Sequence, residues 1–177
     1  MVKAALNSND PDFANYLPTY FGAPLGSSNS STLFWFNSSP VVPTPNAMAV
    51  GYGIQMIQGN NPGGPGFIGG LISQGANKTT DPGDGIENVL VLLLDNNDNP
   101  VDYTYSDKDG KFEFSSIPYG DYKVYTEVSG LTTQEVFVTV DAQNPKVDLV
   151  DVIISSSGVN GSVGVRKISA SNNVLIY

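Results

Sequence analysis

The chain has 177 residues, with 17 acidic against 8 basic side chains and a formal net charge of −9. This charge opposes binding to nucleic-acid phosphates and to anionic membranes, so neither is an expected partner. The chain contains no cysteine and no histidine, which excludes disulfides, thiolate metal sites and histidine-based acid–base catalysis. No stretch reaches the roughly 18 apolar residues of a membrane span, so no membrane insertion is expected.

The first third of the chain is rich in aromatic residues. Residues 1–62 are predicted to be an N-terminal extension or a truncated preceding repeat, because Asn, Ser and Pro interrupt them and no helical period appears. Within this segment, residues 50–57 alternate between apolar and small or polar types, which predicts a strand. Residues 2–6 and 175–177 read as interrupted strands, so we expect the chain to be a fragment of a longer protein.

A turn-rich segment at residues 60–66 precedes short apolar segments at regular spacing, a pattern typical of a sandwich or barrel. The predicted strands are 67–73, 88–94, 101–106, 111–114, 121–128, 134–140 and 147–154. Together they define a predicted domain at residues 66–154. Residues 155–177 are predicted to be a Ser/Gly linker, over 155–162, followed by the start of a truncated C-terminal region.

The apolar pattern differs among these strands. Residues 89–94 are apolar at every position, which predicts a central strand that is covered on both faces. In the strand at 121–128, Tyr122 and Val124 alternate with Lys123, Tyr125 and Glu127. This alternation predicts one side against a core and the other toward solvent.

Three turns separate the predicted strands. The segments from Asp95 to Pro100 and from Asp107 to Gly110 are predicted to be hairpin connections, because their residue types tolerate left-handed backbone and bond their own main chain. Gly120 is expected to permit a tight turn into the strand that follows it.

Four segments carry a family resemblance: GGLI at 69–72, IENVLVLLLD at 86–95, YTYSDKDGKFEF at 103–114 and IPYGDY at 117–122. Their order and spacing resemble the carboxypeptidase regulatory-like and Cna B-type domains. The resemblance implies an all-β fold, a seven-strand antiparallel prealbumin-like (immunoglobulin-like) sandwich with an aromatic-rich N-terminal extension. Phe112 and Phe114 are then expected to enter its core.

Two further segments resemble secreted Bacteroidetes proteins. YLPTYFG at 16–22 resembles the region before such repeats, and VLIY at 174–177 resembles the lead-in to a type IX secretion sorting domain. The resemblance implies an exported protein that is secreted or lies on the cell surface.

Acidic turns offer a candidate calcium site. Carboxylate oxygens are the ligands that calcium takes, typically six to eight of them, and it needs no histidine. The other interpretation is that Asp-rich turns form for backbone reasons alone. The candidate ligands are Asp81, Asp84, Glu87, Asp107 and Asp109. Calcium is the one cofactor that the sequence suggests.

Aromatic residues of the extension offer a candidate binding site. Trp35, Phe34 and Tyr20, together with Phe36 and Phe21, could form a platform for sugar rings, whose apolar faces stack on flat aromatic rings. The other interpretation is that these rings anchor the extension to the sandwich, since large aromatic side chains are buried on average.

No catalytic residues are predicted, because the sequence contains neither a nucleophile elbow nor a glycine loop that opens a helix. The expected function is therefore a non-catalytic structural or spacer module of a large exported protein, with neighbouring domains as partners. The alternative is an adhesion module that binds polysaccharide or a surface protein.

Overall fold

The structure is a computed structural model that describes residues 1–22, 31–41, 53–75 and 83–164. Within these ranges the regular structure consists of strands and one short 3-10 helix. None of the described residues forms a helix long and apolar enough to cross a membrane. The predicted all-β sandwich is confirmed.

The strands fall into two groups along the chain. The first group, with the 3-10 helix at Trp35–Asn37, comprises β1 (Lys3–Ala4), β2 (Tyr16–Leu17), β3 (Thr19–Phe21), β4 (Ser31–Thr32) and β5 (Ile57–Gln58). The second comprises β6 (Gly66–Gln74), β7 (Leu90–Asp95), β8 (Pro100–Tyr105), β9 (Lys111–Ile117), β10 (Gly120–Glu127), β11 (Val136–Val140), β12 (Lys146–Ser155) and β13 (Gly158–Val163).

The second group forms two four-stranded sheets, with orders β11-β10-β7-β8 and β13-β12-β6-β9. We call them the central sheet and the outer sheet. The central sheet is antiparallel throughout, whereas β6 and β12 of the outer sheet run parallel. All seven strands predicted for the sandwich are present. The structure adds β13 as an eighth strand and one parallel pair to the predicted arrangement.

The segment predicted to be a Ser/Gly linker is instead part of a hairpin. Ser155 pairs with Gly158, and β13 runs back along β12 as far as the pairing of Val150 with Val163. Gly158 has a φ of +148°, a conformation that favours glycine at the turn. Ser, Gly and Asn are weak strand formers, so the composition of this segment did not predict a strand. Val159, which is 2% exposed, anchors β13 to the core.

The connection from Asp107 to Gly110 is a turn but not a hairpin. Gly110 has the expected left-handed φ of +78°, and the Asp107 carboxylate accepts from the Asp109 and Lys111 N–H groups at 2.9 Å. However, β8 belongs to the central sheet and β9 pairs with β6 of the outer sheet. Local turn chemistry thus predicted the reversal correctly, but not the change of sheet. The segment from Asp95 to Pro100 does connect two paired strands, β7 and β8.

The predicted strand at 50–57 is shorter in the structure. Residues 50–52 lie outside the described ranges, and β5, which pairs with β2, contains the end of the predicted segment. The expected role of Gly120 is also wrong. This residue has no left-handed φ, and an added Cβ would make only ordinary contact with the Tyr122 ring at 3.6 Å.

The first hydrophobic core lies between the two sheets. Phe112 and Phe114 enter it as predicted, at 4% and 2% exposure. Its other buried members include Ile68, Ile72, Val91, Leu93, Ile117, Tyr122, Val124, Val138, Val150 and Val152. Alternate residues of both sheets therefore point inward, as in an ordinary sandwich.

A second hydrophobic core lies on the opposite face of the central sheet. The sheet contributes Leu90, Leu92, Leu94, Tyr103 and Tyr125, and the extension contributes Leu17 and Leu33, with Phe13, Phe34 and Ile57 packed against them. The extension is thus a third layer, which we call the N-terminal layer (described residues 1–22, 31–41 and 53–58). The prediction that residues 89–94 are covered on both faces is confirmed.

This layer also overturns an expectation for β10. Tyr125 and Glu127 were expected to face solvent because they alternate with core residues, yet they are 4% and 6% exposed. They do point away from the first core, but the N-terminal layer covers them. Periodicity within one strand predicts which residues share a face, and it does not reveal what packs on that face.

Candidate functional site

The predicted aromatic platform does not form as three exposed rings. Tyr20 is 3% exposed, and its hydroxyl shares a hydrogen bond with Ser129 Oγ at 3.1 Å. Phe34 packs edge-on against Tyr125 with ring centroids 5.0 Å apart. Both therefore anchor the N-terminal layer. Trp35 is half-buried, and the exposed ring beside it is Phe36, at 57% exposure.

Trp35 is held on both its backbone and its ring. Its backbone N–H donates to Glu127 Oε1 at 3.0 Å, and its indole Nε1–H donates to the Leu131 carbonyl at 3.2 Å. Its own carbonyl accepts from the Ser38 N–H at 3.0 Å and the Ser38 hydroxyl at 2.6 Å. The bonds to Glu127 and Leu131 hold Trp35 against the sandwich, and the two bonds from Ser38 stabilise the local backbone.

Beside Trp35 lies an open cleft of about 420 Å³. It separates the 3-10 helix from the connection between β10 and β11. Its lining residues are Trp35, Phe36, Tyr125, Leu131, Thr132, Thr133 and Glu135. We call it the Trp35 cleft. Three aromatic residues, two threonine hydroxyls and one carboxylate thus meet at the boundary between the N-terminal layer and the central sheet.

The sequence analysis singled out Trp35 and Phe36 but not Glu135. Glu135 lines the cleft from the connection between β10 and β11, one residue before β11 begins at Val136. Its relation to Trp35 depends on how the N-terminal layer docks, and strand periodicity carries no signal for that.

Glu127 is the buried acid of this region. One carboxylate oxygen accepts from Trp35, whereas Oε2 is buried and has no hydrogen-bond partner within the described residues. Burial raises the pKa of Glu127 above its ordinary value, while the Trp35 N–H, the Tyr20 hydroxyl and the Lys3 charge act in the opposite direction. The pKa of Lys3, in the N-terminal layer, lies below its ordinary value, because burial lowers it more than the Glu127 charge raises it.

The raised pKa gives a testable pH dependence. Because the folded state favours protonated Glu127, this group's contribution to stability is full below its unfolded pKa, ordinarily 4.5, and is lost as pH rises through the folded value. Glu127→Gln removes this titration and retains an oxygen that can accept from Trp35. We therefore expect the Tm of the variant relative to wild type to rise from acidic to neutral pH.

The matched control is Glu113→Gln, an exposed acid on β9. The Tm difference between wild type and this variant should stay nearly constant across the same pH series. A flat difference for Glu127→Gln as well would show that the carboxyl is not destabilised by burial.

The four predicted calcium ligands that lie within the described ranges are exposed. Asp81 lies outside the described residues, and within them no group of three or more acidic side chains is placed to hold a metal ion. Asp107 accepts hydrogen bonds inside its own turn, and Asp109 pairs with Lys108 at 2.8 Å. Asp84 and Glu87 are exposed and precede β7. Calcium binding therefore stays a prediction.

Calcium binding is tested by melting the chelated protein and then adding calcium. A bound ion stabilises the folded state by mass action, so a Tm that rises and saturates with calcium would support the site. Asp84→Asn should abolish that rise, whereas Asp151→Asn, an exposed acid on β12, should preserve it. A Tm that does not respond to calcium would contradict the prediction.

With this geometry defined, the chain can be compared with known proteins. Residues 78–154 match the carboxypeptidase regulatory-like domain. The regulatory-like match runs from before β7 to within β12, so β6 and β13 lie outside it. It confirms the predicted resemblance over this part of the sandwich. The predicted Bacteroidetes source and type IX sorting domain remain predictions, and residues 165–177 lie outside the described ranges.

One curated relative is Colossin-A of Dictyostelium discoideum, 29% identical over 94 residues. The match covers 53% of this chain and 1% of Colossin-A. The chain therefore spans a very small part of that relative's length.

Solved structures also resemble the chain. BcpA, the major pilin subunit of Bacillus cereus, aligns at a TM-score of 0.38 and 20% identity, over 59% of this chain and 32% of BcpA. A Klebsiella pneumoniae 5-hydroxyisourate hydrolase aligns at 0.42 and 17% identity, over 60% of this chain and 99% of the hydrolase. At such low scores and identities, neither likeness carries a functional conclusion.

Proposed function

We propose that this chain is a non-catalytic structural module that acts as a spacer in a large exported cell-surface or extracellular protein. The observation that carries the proposal is the coverage of the central sheet on both faces. Leu90, Leu92 and Leu94 face the N-terminal layer while Val91 and Leu93 face the outer sheet. Two cores that share one sheet give a stiff unit that can hold neighbouring domains apart.

The relation to Colossin-A supports a modular role. The similar segment occupies 1% of that protein, so there a unit of this kind is one small part of a very long chain. A regulatory-like sandwich is compatible with many activities, because function depends on sites and not on the fold. The relation to Colossin-A therefore supports a place for this unit within a longer chain. The activity of the unit depends on its own binding sites.

The described polar groups support a non-catalytic role. The sequence has neither histidine nor cysteine, and the buried acid Glu127 is covered by the N-terminal layer. The Oε1 atom of Glu127 accepts a hydrogen bond from the Trp35 N–H. A catalytic acid or base must reach a substrate proton within hydrogen-bond distance, and a covered carboxylate does not offer that.

The proposal is tested by exchanging the module inside the full-length protein. We expect an unrelated, inert β-sandwich of similar length, placed where this chain stands, to preserve surface display and the activities of the neighbouring domains. Protease shaving of intact cells should release peptides of the module, while a cytoplasmic marker stays intact. Loss of a parent activity on exchange, with display unchanged, would contradict a passive spacer.

A binding role is the second candidate function. The Trp35 cleft favours it, because an exposed phenylalanine is held there in a fixed orientation next to polar side chains.

A further inference from the structure

We propose that the Trp35 cleft binds a pyranose unit of a neutral polysaccharide, with Phe36 as the stacking ring and Glu135 as the hydroxyl acceptor. The proposal goes beyond the spacer role and does not depend on it. It rests on four properties of the cleft: rigid aromatic faces, a polar rim, a paired backbone and the charge of its lining.

The aromatic faces are fixed before any ligand arrives. Phe36 stacks on Phe34 with centroids 5.3 Å apart and an interplanar angle of 17°. It meets Trp35 edge-on at 88°, and hydrogen bonds to Glu127 and Leu131 hold Trp35. Phe36 is nevertheless 57% exposed. A rigid exposed ring loses little conformational entropy on binding, and its apolar face suits the C–H face of a sugar.

Polar side chains also line the cleft. Thr132 and Thr133 offer hydroxyl oxygens, and Glu135 offers a partly exposed carboxylate 3.8 Å from Lys123. The Thr133 hydroxyl donates to the Thr126 carbonyl at 2.8 Å, so its oxygen remains able to accept. A pyranose ring presents donor hydroxyls around its edge, and this arrangement of acceptors beside aromatic faces matches them.

The backbone at the cleft is already paired. The Gln134 N–H donates to the Val159 carbonyl at 3.0 Å, and the Val159 N–H donates to the Thr132 carbonyl at 2.9 Å. An extended peptide that adds a strand needs free backbone groups, and this segment uses its own to contact β13. A ligand in the cleft would therefore contact side chains and not free backbone groups. This favours a sugar over an added peptide strand.

Charge selects among polysaccharides. Glu135 is the charged residue that lines the cleft, and the chain carries a formal net charge of −9. Both disfavour polymers that carry carboxylate or sulfate groups. Phe137 is 65% exposed and lies in β11, two residues after Glu135. A neighbouring sugar of the same polymer would meet this second ring.

The test is affinity electrophoresis of the whole chain in gels that contain soluble neutral polysaccharides: a β-glucan, a mannan and a xylan. An anionic alginate is run in parallel, and a proline-rich peptide is titrated against Trp35 fluorescence. We expect retention by at least one neutral polymer. We expect Phe36→Ala to weaken its affinity roughly tenfold or more, and Glu135→Ala to weaken it as well.

Tyr119→Ala is the matched control, because Tyr119 is an exposed aromatic residue, at 45%, in the turn at the other end of β10. It should retain wild-type affinity, and melting curves confirm that each variant is folded. Three results would overturn the proposal: no retention by any neutral polymer, equal loss in Phe36→Ala and Tyr119→Ala, or preference for alginate or the peptide.

Discussion

Deletion of residues 1–62 is expected to leave a sandwich that aggregates or fails to fold cooperatively. The deletion uncovers one complete face of the central sheet. Leu92 and Leu94 are fully buried in the intact chain and Leu90 is 3% exposed. Burial of a leucine side chain stabilises by about 1.5–3 kcal/mol, so three of them account for roughly 5–9 kcal/mol. That is comparable with the whole stability of an ordinary domain, about 5–15 kcal/mol.

The measurement is size-exclusion chromatography with chemical unfolding of residues 63–177 against the full chain. A dye that binds exposed apolar surface should respond to the truncated protein only. Polar substitution of Leu90 and Leu92 in the truncated chain should restore solubility, because the uncovered face then resembles an ordinary solvated sheet. A soluble truncated monomer with unchanged stability would show that the N-terminal layer contributes little.

Gly70→Ala is expected to cost about 3 kcal/mol or more and to prevent stable folding in a marginal background. Gly70 lies in β6 between the core residues Ile68 and Ile72 and pairs with Val150 of the parallel strand β12. The pairing shifts register between Val147 and Val150. An added Cβ would lie 2.8 Å from the Val150 carbonyl carbon and closer still to its oxygen. These atoms, together with the Val150 Cβ at 2.8 Å, belong to the paired strand β12 and are not the far end of a flexible side chain that could move aside.

Gly120→Ala is the matched control, since Gly120 is also a strand glycine. An added Cβ there meets only the Tyr122 ring, at ordinary contact distance. Loss of backbone freedom in the unfolded chain should make this variant neutral or more stable by about 0.4–1 kcal/mol. Equal melting temperatures for the two variants would contradict the close approach of β6 and β12.

Much of the sandwich could be predicted because its local signals agree. The unbroken apolar run of β7 predicted coverage on two faces, and the residues Phe112 and Phe114 alternated into the core as expected. The left-handed Gly110 followed from the turn around Asp107. In each case the same few residues determine both the local conformation and the burial, so sequence pattern is sufficient.

The parts that could not be predicted depend on contacts between distant segments. The pairing of β9 with β6 and not β8 is a long-range choice, and the turn before β9 is compatible with either. Glu127 resembles a solvated residue until the N-terminal layer lies over it. Trp35 was recognised, but the cleft beside it requires Glu135, about one hundred residues later. The periodicity of a single strand cannot predict that Trp35 and Glu135 lie beside the same cleft.

The N-terminal layer and the sandwich are expected to unfold as one cooperative unit. Trp35 is the single tryptophan of the chain, and it lies in the N-terminal layer with its indole bonded to Leu131 of the sandwich. Its fluorescence therefore reports docking of the layer, while far-UV circular dichroism reports the strands of both sheets. We predict coincident thermal transitions by the two probes, as two-state unfolding requires. A fluorescence transition well below the circular-dichroism transition would show that the layer detaches from an intact sandwich, and would contradict the account.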